Sequence, residues 1–188
     1  IDMGGSSTDI VAGEIDEDGG LHFLGRYGEA FGGTLYDAEL AKYLADELLI
    51  PASALADDPS AMLTLRVTAQ RFKESLSRQL LSPGMNEVVH QRIVTLVLQD
   101  GSIYRRMVKL DRAIFESLTD SLHAAFQLLM ERAMNHIKLN VEKIREVILV
   151  GGGTQLFNIM MYLRERFGEE KVILADNPDE VVVQGIGL

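Results

Sequence analysis

Residues 1–16, IDMGGSSTDIVAGEID, decide how the rest of the chain is read. An apolar residue and an aspartate lead into two glycines, three hydroxyl residues and a strand-like alternation. A backbone that turns its N–H groups toward an anion must be free of side chains where the anion comes close, which Gly4 and Gly5 provide. Ser6, Ser7 and Thr8 add hydroxyls for phosphate oxygens. Asp2, at the end of a strand, directs a carboxylate to the same place, suited to a Mg²⁺-bound or an attacking water. The same glycines also fit a tight hairpin that needs them only for φ > 0. Spacing leaves both readings open.

Bulk numbers narrow the setting. With 188 residues, 47% of them hydrophobic and 24% charged, the chain can bury a core in one domain, or in one domain carrying a sizeable insert. No apolar run approaches the roughly 18 residues of a membrane helix. The absence of cysteine excludes disulfides and thiolate metal sites, and fits a reducing cytoplasm. A net charge of −10 argues against a nucleic-acid partner. The acidity is concentrated in residues 1–60, where 13 carboxylates face 2 cations. A solvated surface explains this, and so does a set of carboxylates serving a hydrated metal on phosphates.

Along the chain, residues 7–15 and 21–30 read as two strands around an Asp-Gly-Gly turn. A helix then starts near Thr34, which with Asp37 resembles a capping box, and carries Tyr36, Leu40, Leu44 and Leu48 on one stripe. A second helix over about 60–81 keeps Leu65, Ala69, Phe72, Leu76 and Leu80 together. Two β-branched runs flank Gln99-Asp100-Gly101-Ser102 as a second hairpin. Asp111 caps a long helix to about Lys138, with a stripe of Ile114, Leu118, Leu122, Ala125 and Leu129. A strand, a glycine turn and a helix stopped by Gly168 follow, then the strand KVILA. Asn177, Pro178 and Glu180 mark the start of a last helix. The order predicts a mixed α/β fold: residues 1–33 and 111–188 form one layered domain, and 34–110 form an inserted, smaller α+β subdomain.

Two other features bear on chemistry. Gly151-Gly152-Gly153-Thr154 follows a strand and opens a helix, an arrangement that admits a nucleotide. A plain strand-to-helix turn fits equally. The stretch is neither GxGxxG nor a P-loop, which disfavours a dinucleotide fold. The four histidines, 22, 90, 123 and 136, have no metal-ligand spacing and read as structural or solvated.

Taken together, five blocks resemble the ATPase domain of the DnaK-type heat-shock chaperones, in the actin and sugar-kinase superfamily. They are DMGGSSTD (2–9), FGGTLYDAEL (31–40), QRFKESLS (70–77), VILVGGGTQLFNI (147–159) and NPDEVVVQGIGL (177–188), in the family's order with similar gaps. The first is similar to the family's second phosphate loop. The resemblance implies that the chain is the second lobe of a two-lobed, actin-like ATPase clamp, a mixed sheet flanked by helices with its inserted subdomain. The first lobe of the same parent protein, with its catalytic lysine and glutamate, is expected upstream of Ile1. ATP or ADP and Mg²⁺ are the implied ligands. A client-binding domain and co-chaperones are the implied partners, in the cytoplasm, with no nucleic acid and no membrane. An actin-like filament ATPase, or a nucleotide-binding adaptor without turnover, is the alternative.

The resemblance also implies residue roles. Asp2 holds the metal's water shell and orients the attacking water, Asp9 is a further metal candidate, and Ser7 stands near the γ-phosphate. Gly4, Gly5 and Ser6 present phosphate-facing backbone, and Gly32 and Gly33 pass close to phosphates and ribose. Lys73 and Ser77, four apart on one helix face, meet the adenosine. Gly151, Gly152 and Gly153 floor the base, with Asp179 below. Two departures lie at the nucleoside, where Gln70 replaces a ribose-binding glutamate and Gln155 replaces an arginine that stacks on adenine, and one lies in the phosphate loop, where Ser6 replaces a third glycine. ATP turnover is thus expected of the complete parent, with little or none from this chain alone.

Overall fold

The computed structural model describes residues 1–85 and 88–175. Its elements are β1 (Asp2–Met3), β2 (Thr8–Ile15), β3 (Leu21–Glu29), α1 (Gly33–Glu47), α2 (Ala52–Ala56), α3 (Pro59–Leu80), β4 (Val89–Val97), β5 (Ile103–Asp111), α4 (Arg112–Ile137), β6 (Val147–Leu149), α5 (Phe157–Phe167) and β7 (Val172–Leu174). This is the mixed α/β class expected from the sequence. The helix expected from Asn177 lies outside the described residues. Among those residues, no helix is long and apolar enough to cross a membrane.

The described residues gather into two compact units, one of residues 1–33 and 122–175, the other within Thr34–Ser121. The second boundary falls inside α4 rather than at its start. The first turns of that helix are held in the smaller unit by packing: the Phe115 ring stacks on Tyr36 at 6.1 Å and 9°. The expected stripe on α4 is also displaced. Ile114, Leu118, Leu122 and Ala125 are half-buried, while Phe115, Thr119, Phe126, Leu129, Met130 and Ala133 are buried. The helix is apolar over more than one arc, and the large Phe rings, with most area to bury, decide which arc turns inward.

In the first unit, β1, β2 and β3 form an antiparallel meander. Alternation puts Thr8 and Ile10 inward and Asp9 and Val11 outward. The β2–β3 turn is the one its Asp-Gly-Gly signal predicts. The Asp16 carboxylate accepts from the N–H groups of Asp18 and Gly20 at 3.0 and 2.6 Å, and Gly19 takes φ of 85°. Strands β6 and β7 pair in parallel. A parallel bridge from Asp2 to Val150 joins them to the meander, with Met3 N–H donating to the Val150 carbonyl at 3.0 Å. The strand order is therefore β3-β2-β1-β6-β7. Met3, Ile10, Leu149 and Val172 from the sheet are buried, as are Leu129 of α4 and Ile159 and Leu163 of α5.

In the second unit, β4 and β5 pair without a bulge from Val89–Asp111 to Val97–Ile103, and Gly101 takes φ of 85° in the turn. Val94, Leu96, Val108 and Leu110 are buried, together with Leu65, Ala69, Phe72 and Leu76 of α3. Asp58 caps α3 through Ala61 N–H and accepts from Gln99 N–H at 2.8 Å, tying the helix start to the hairpin end. Asp111 caps α4 by accepting from Ile114 N–H at 2.9 Å.

Candidate functional site

The loop at the end of β1 is a narrow turn. Asp2 and Asp9 are cross-strand partners, as are Met3 and Thr8, and Gly4 N–H donates to the Ser7 carbonyl at 2.9 Å. Neither Gly4 nor Gly5 has a positive φ. The hairpin itself therefore does not demand glycine, and the φ > 0 explanation fails. Nor do neighbours demand it at Gly4: a Cβ there would meet only the Ser7 carbonyl oxygen, at 3.9 Å. Gly5, Ser6 and Ser7 are exposed. The turn is exposed at residues 5–7 and has room for a side chain at Gly4.

A second strand of loop crosses this turn. A Cβ on Gly32 would stand 2.5 Å from the Gly5 carbonyl and 2.7 Å from Ser6 N, and Gly33 N–H donates to the Gly4 carbonyl at 3.0 Å. Thr8 completes the tie. It is fully buried and its hydroxyl donates to the Phe31 carbonyl at 2.7 Å, so it fixes one loop to the other and is not exposed to a phosphate. The inward step of the β2 alternation puts it there.

As cross-strand partners, Asp2 and Asp9 project from the same face of the sheet, an arrangement of like charges that costs stability unless a cation offsets it. Glycines make room for both. A Cβ on Gly28 would lie 2.6 Å from the Asp9 carboxylate, and one on Gly151 would lie 2.7 Å from that of Asp2. Among the described residues no group of three or more His, Asp or Glu is placed to hold a metal. Two carboxylates suit a hydrated divalent cation of the Mg²⁺ type, which keeps most of its waters. The histidines stand apart: His22 pairs with Asp16 at 2.9 Å on the surface, and His136 lies against Tyr27.

Gly151, Gly152 and Gly153 behave differently from Gly4 and Gly5. Gly151 takes φ of 82°, and its Cβ would fall 2.5 Å from the Met3 carbonyl oxygen; that of Gly153 would fall 2.6 Å from the Met3 side chain. Both are buried against β1, and only Gly152 is exposed. The stretch does not open the α-helix directly. A short 3-10 turn over Gly152–Gln155 intervenes, with the Thr154 hydroxyl donating to the Gly151 carbonyl at 2.7 Å, before α5 begins at Phe157. Gln155 is half-buried in that turn.

In the second unit, Lys73 and Ser77 lie one turn apart on α3 and are both buried. The Lys73 ammonium pairs with the Asp37 carboxylate of α1 at 2.8 Å. Burial pushes the Asp37 carboxyl above its ordinary value, and the bond to Lys73 pulls it back. Asp37 is thus a buried ion-pair partner on the inner stripe of α1, where the sequence suggested a capping residue. Its place in helical line with Leu40, Ala41 and Leu44 was the available signal. The Ser77 hydroxyl is buried and makes no hydrogen bond among the described residues. Gln70 is exposed and donates to Glu74 at 2.8 Å.

The structure thus gathers Asp2, Gly4, Gly5, Ser6, Ser7, Asp9, Gly32, Gly33 and Gly151–Gly153 in the first unit. Gln70, Lys73 and Ser77 gather in the second, and Asp179 lies outside the described residues. Sequence comparison adds an independent result. A profile of the family described as Hsp70 protein matches residues 1–188. The chain is 32% identical over 189 residues to the chaperone protein DnaK of Thermosipho melanesiensis, and 30% identical to those of Thermotoga neapolitana and Mycoplasmopsis synoviae. In each case all of this chain is covered, together with 30% of the relative's length.

Proposed function

The chain belongs to the Hsp70 family, and on that premise we propose that it is a nucleotide-binding lobe of a DnaK-like chaperone. ATP binding and hydrolysis by the complete, cytoplasmic protein would be coupled to client binding. Because the chain spans 30% of its relatives' length, turnover, clients and co-chaperones are properties proposed for the whole protein. One observation carries the reading. Gly4 is a glycine that neither backbone conformation nor any neighbour requires, and Gly5, which lacks a positive φ, adjoins it in a turn fronted by two carboxylates. Space kept free of side chains beside exposed backbone is what a phosphate needs in order to approach.

The residues divide the work. Gly5 and Ser6, packed against Gly32, present backbone to the phosphates, with Gly32 and Gly33 close by, and Ser7 adds an exposed hydroxyl. Asp2 and Asp9 are the carboxylates that would hold a hydrated cation, and Asp2 is the one that would orient the attacking water. When bound with ATP, Mg²⁺ would neutralise charge on the phosphate oxygens. For the nucleoside, the residues proposed in the second unit are Gln70, Lys73 and Ser77, whose hydroxyl is buried without a hydrogen bond among the described residues; those proposed in the first are Gly152 and Gln155, with Asp179 outside the described residues. Gln155 in place of a stacking guanidinium forgoes an interaction worth roughly 0.5–2 kcal/mol, so the base end contributes less than the phosphate end.

Calorimetric titration with Mg-ADP, beside a phosphate-release assay with Mg-ATP, tests this on the complete protein and on residues 1–188 alone. The complete protein is expected to bind and turn over. The 188-residue chain should bind weakly and hydrolyse no faster than background, since phosphoryl transfer draws on charge from several sides of the γ-phosphate. A complete protein that binds no nucleotide would defeat the reading.

A further inference from the structure

Asp37 occupies a position where stability does not call for a charge. On α1 it falls in line with Leu40, Ala41, Leu44 and Leu48, all buried apolar residues. Lys73 likewise sits on the inner side of α3, beside Phe72 and Leu76. The two side chains meet at 2.8 Å with 11% and 8% of their surfaces exposed. An apolar pair of similar volume generally serves a core at least as well as a buried ion pair, whose Coulomb attraction is offset by desolvation. What an ion pair adds is direction: it fixes where an otherwise flexible lysine puts its ammonium.

We infer that Asp37 is a positioning residue that holds the Lys73 ammonium in place for the nucleoside. The inference rests on the reading of Lys73 given under Proposed function. A second feature points the same way. One turn along α3 from Lys73, the buried Ser77 hydroxyl makes no hydrogen bond among the described residues, and a buried polar atom left so is costly unless something else satisfies it. The aligned ammonium and the waiting hydroxyl form one polar strip on an otherwise apolar helix side. Among the described residues, the charged groups acting on Asp37 are Lys73 and Glu74, both on α3, and Glu74 is engaged by Gln70. Asp37 does not touch the nucleotide in this account; it acts through Lys73.

A double-mutant cycle on ADP affinity of the complete protein tests this. Asp37→Asn and Lys73→Met are each expected to weaken ADP about tenfold or more, and the double variant no further, because the two residues act as one. Asp37→Glu keeps the charge and should retain most of the affinity. Unchanged affinity in Asp37→Asn, or losses that add in the double variant, would overturn the inference while leaving nucleotide binding intact. Should Asp37→Asn fail to fold, Asp37→Glu and ¹⁵Nζ NMR of the wild-type protein decide. A Lys73 ammonium resonance protected from solvent exchange that shifts on addition of ADP supports the role. A resonance exchanging like a surface lysine, or ADP binding untouched by Lys73→Met, refutes it. Wild-type protein that binds no ADP is a different failure, that of the nucleotide reading, and the inference would fall with it.

Discussion

Two glycine runs in the first unit look alike as sequence and are opposites as structure. At Gly151–Gly153 the chain needs its glycines for itself: one takes a left-handed φ, and two press against β1 where any Cβ would enter the Met3 backbone or side chain. At Gly4–Gly5 neither residue takes such a φ, and the space above Gly4 is unfilled. A glycine run is therefore no ligand signature on its own. What stands where the Cβ would be separates a glycine the packing requires, as at Gly151 and Gly153, from one it does not, as at Gly4.

The contrast can be broken at either turn. Gly151→Ala should be the most damaging change, losing about 3 kcal/mol or more of stability, since it combines an unfavourable φ with a clash against backbone. Urea unfolding measures it, and a loss below about 1 kcal/mol would mean that β1 and the turn can part. Asp2→Asn in the complete protein keeps size and removes charge, so it should cut ATP turnover about 10²-fold while leaving ADP affinity within a few-fold. Unchanged single-turnover hydrolysis would remove Asp2 from the role given to it.

Gly4→Ala carries the sharpest form of the comparison. Its Cβ has room, so stability should change by less than about 0.5 kcal/mol. ADP should nevertheless bind about tenfold more weakly, or 1.4 kcal/mol, because the methyl occupies the space left for phosphate. A variant that binds ADP normally would show that the space has no ligand. Acid supplies the smallest effect and a control away from both turns. His90 is buried edge-on to Phe72 at 5.0 Å, and burial first, then the nearby Arg92 charge, lowers its pKa from the ordinary 6.5. The unfolded chain takes up the proton near 6.5 and the folded chain resists it, so stability is full above that value and is lost as pH falls through the folded pKa. Thermal unfolding across that window should show the loss and His90→Gln should flatten it; an unchanged slope would contradict the assignment.

Features that depend on neighbours in sequence were legible. The turn at Asp16–Gly20, the cap at Asp111, the stripe on α3 from Leu65 to Leu76 and the two hairpins follow from local spacing, and the structure has them, with only Leu80 at the end of that stripe half-buried. Features that depend on what comes near in space were not. Asp37 resembled a capping residue because its partner Lys73 lies 36 positions away. Thr8 resembled a phosphate ligand until the β2 alternation turned it inward onto Phe31. On α4 the sequence offers two apolar arcs, and the ring of Tyr36 selects the one carrying Phe115. The two glycine turns were indistinguishable for the same reason, since nothing in Gly151-Gly152-Gly153 announces the carbonyl of Met3 beneath it.

Backbone-amide NMR of the 188-residue chain, titrated with Mg-ADP and separately with adenosine, tests the contrast between the turns most directly, because weak binding still moves amide resonances. The account predicts that Mg-ADP shifts Gly5, Ser6 and Ser7 strongly, that adenosine leaves them in place, and that the buried amides of Gly151 and Gly153 respond little to either. Shifts confined to residues 151–155, or a turn at 4–7 that answers adenosine as readily as ADP, would contradict it.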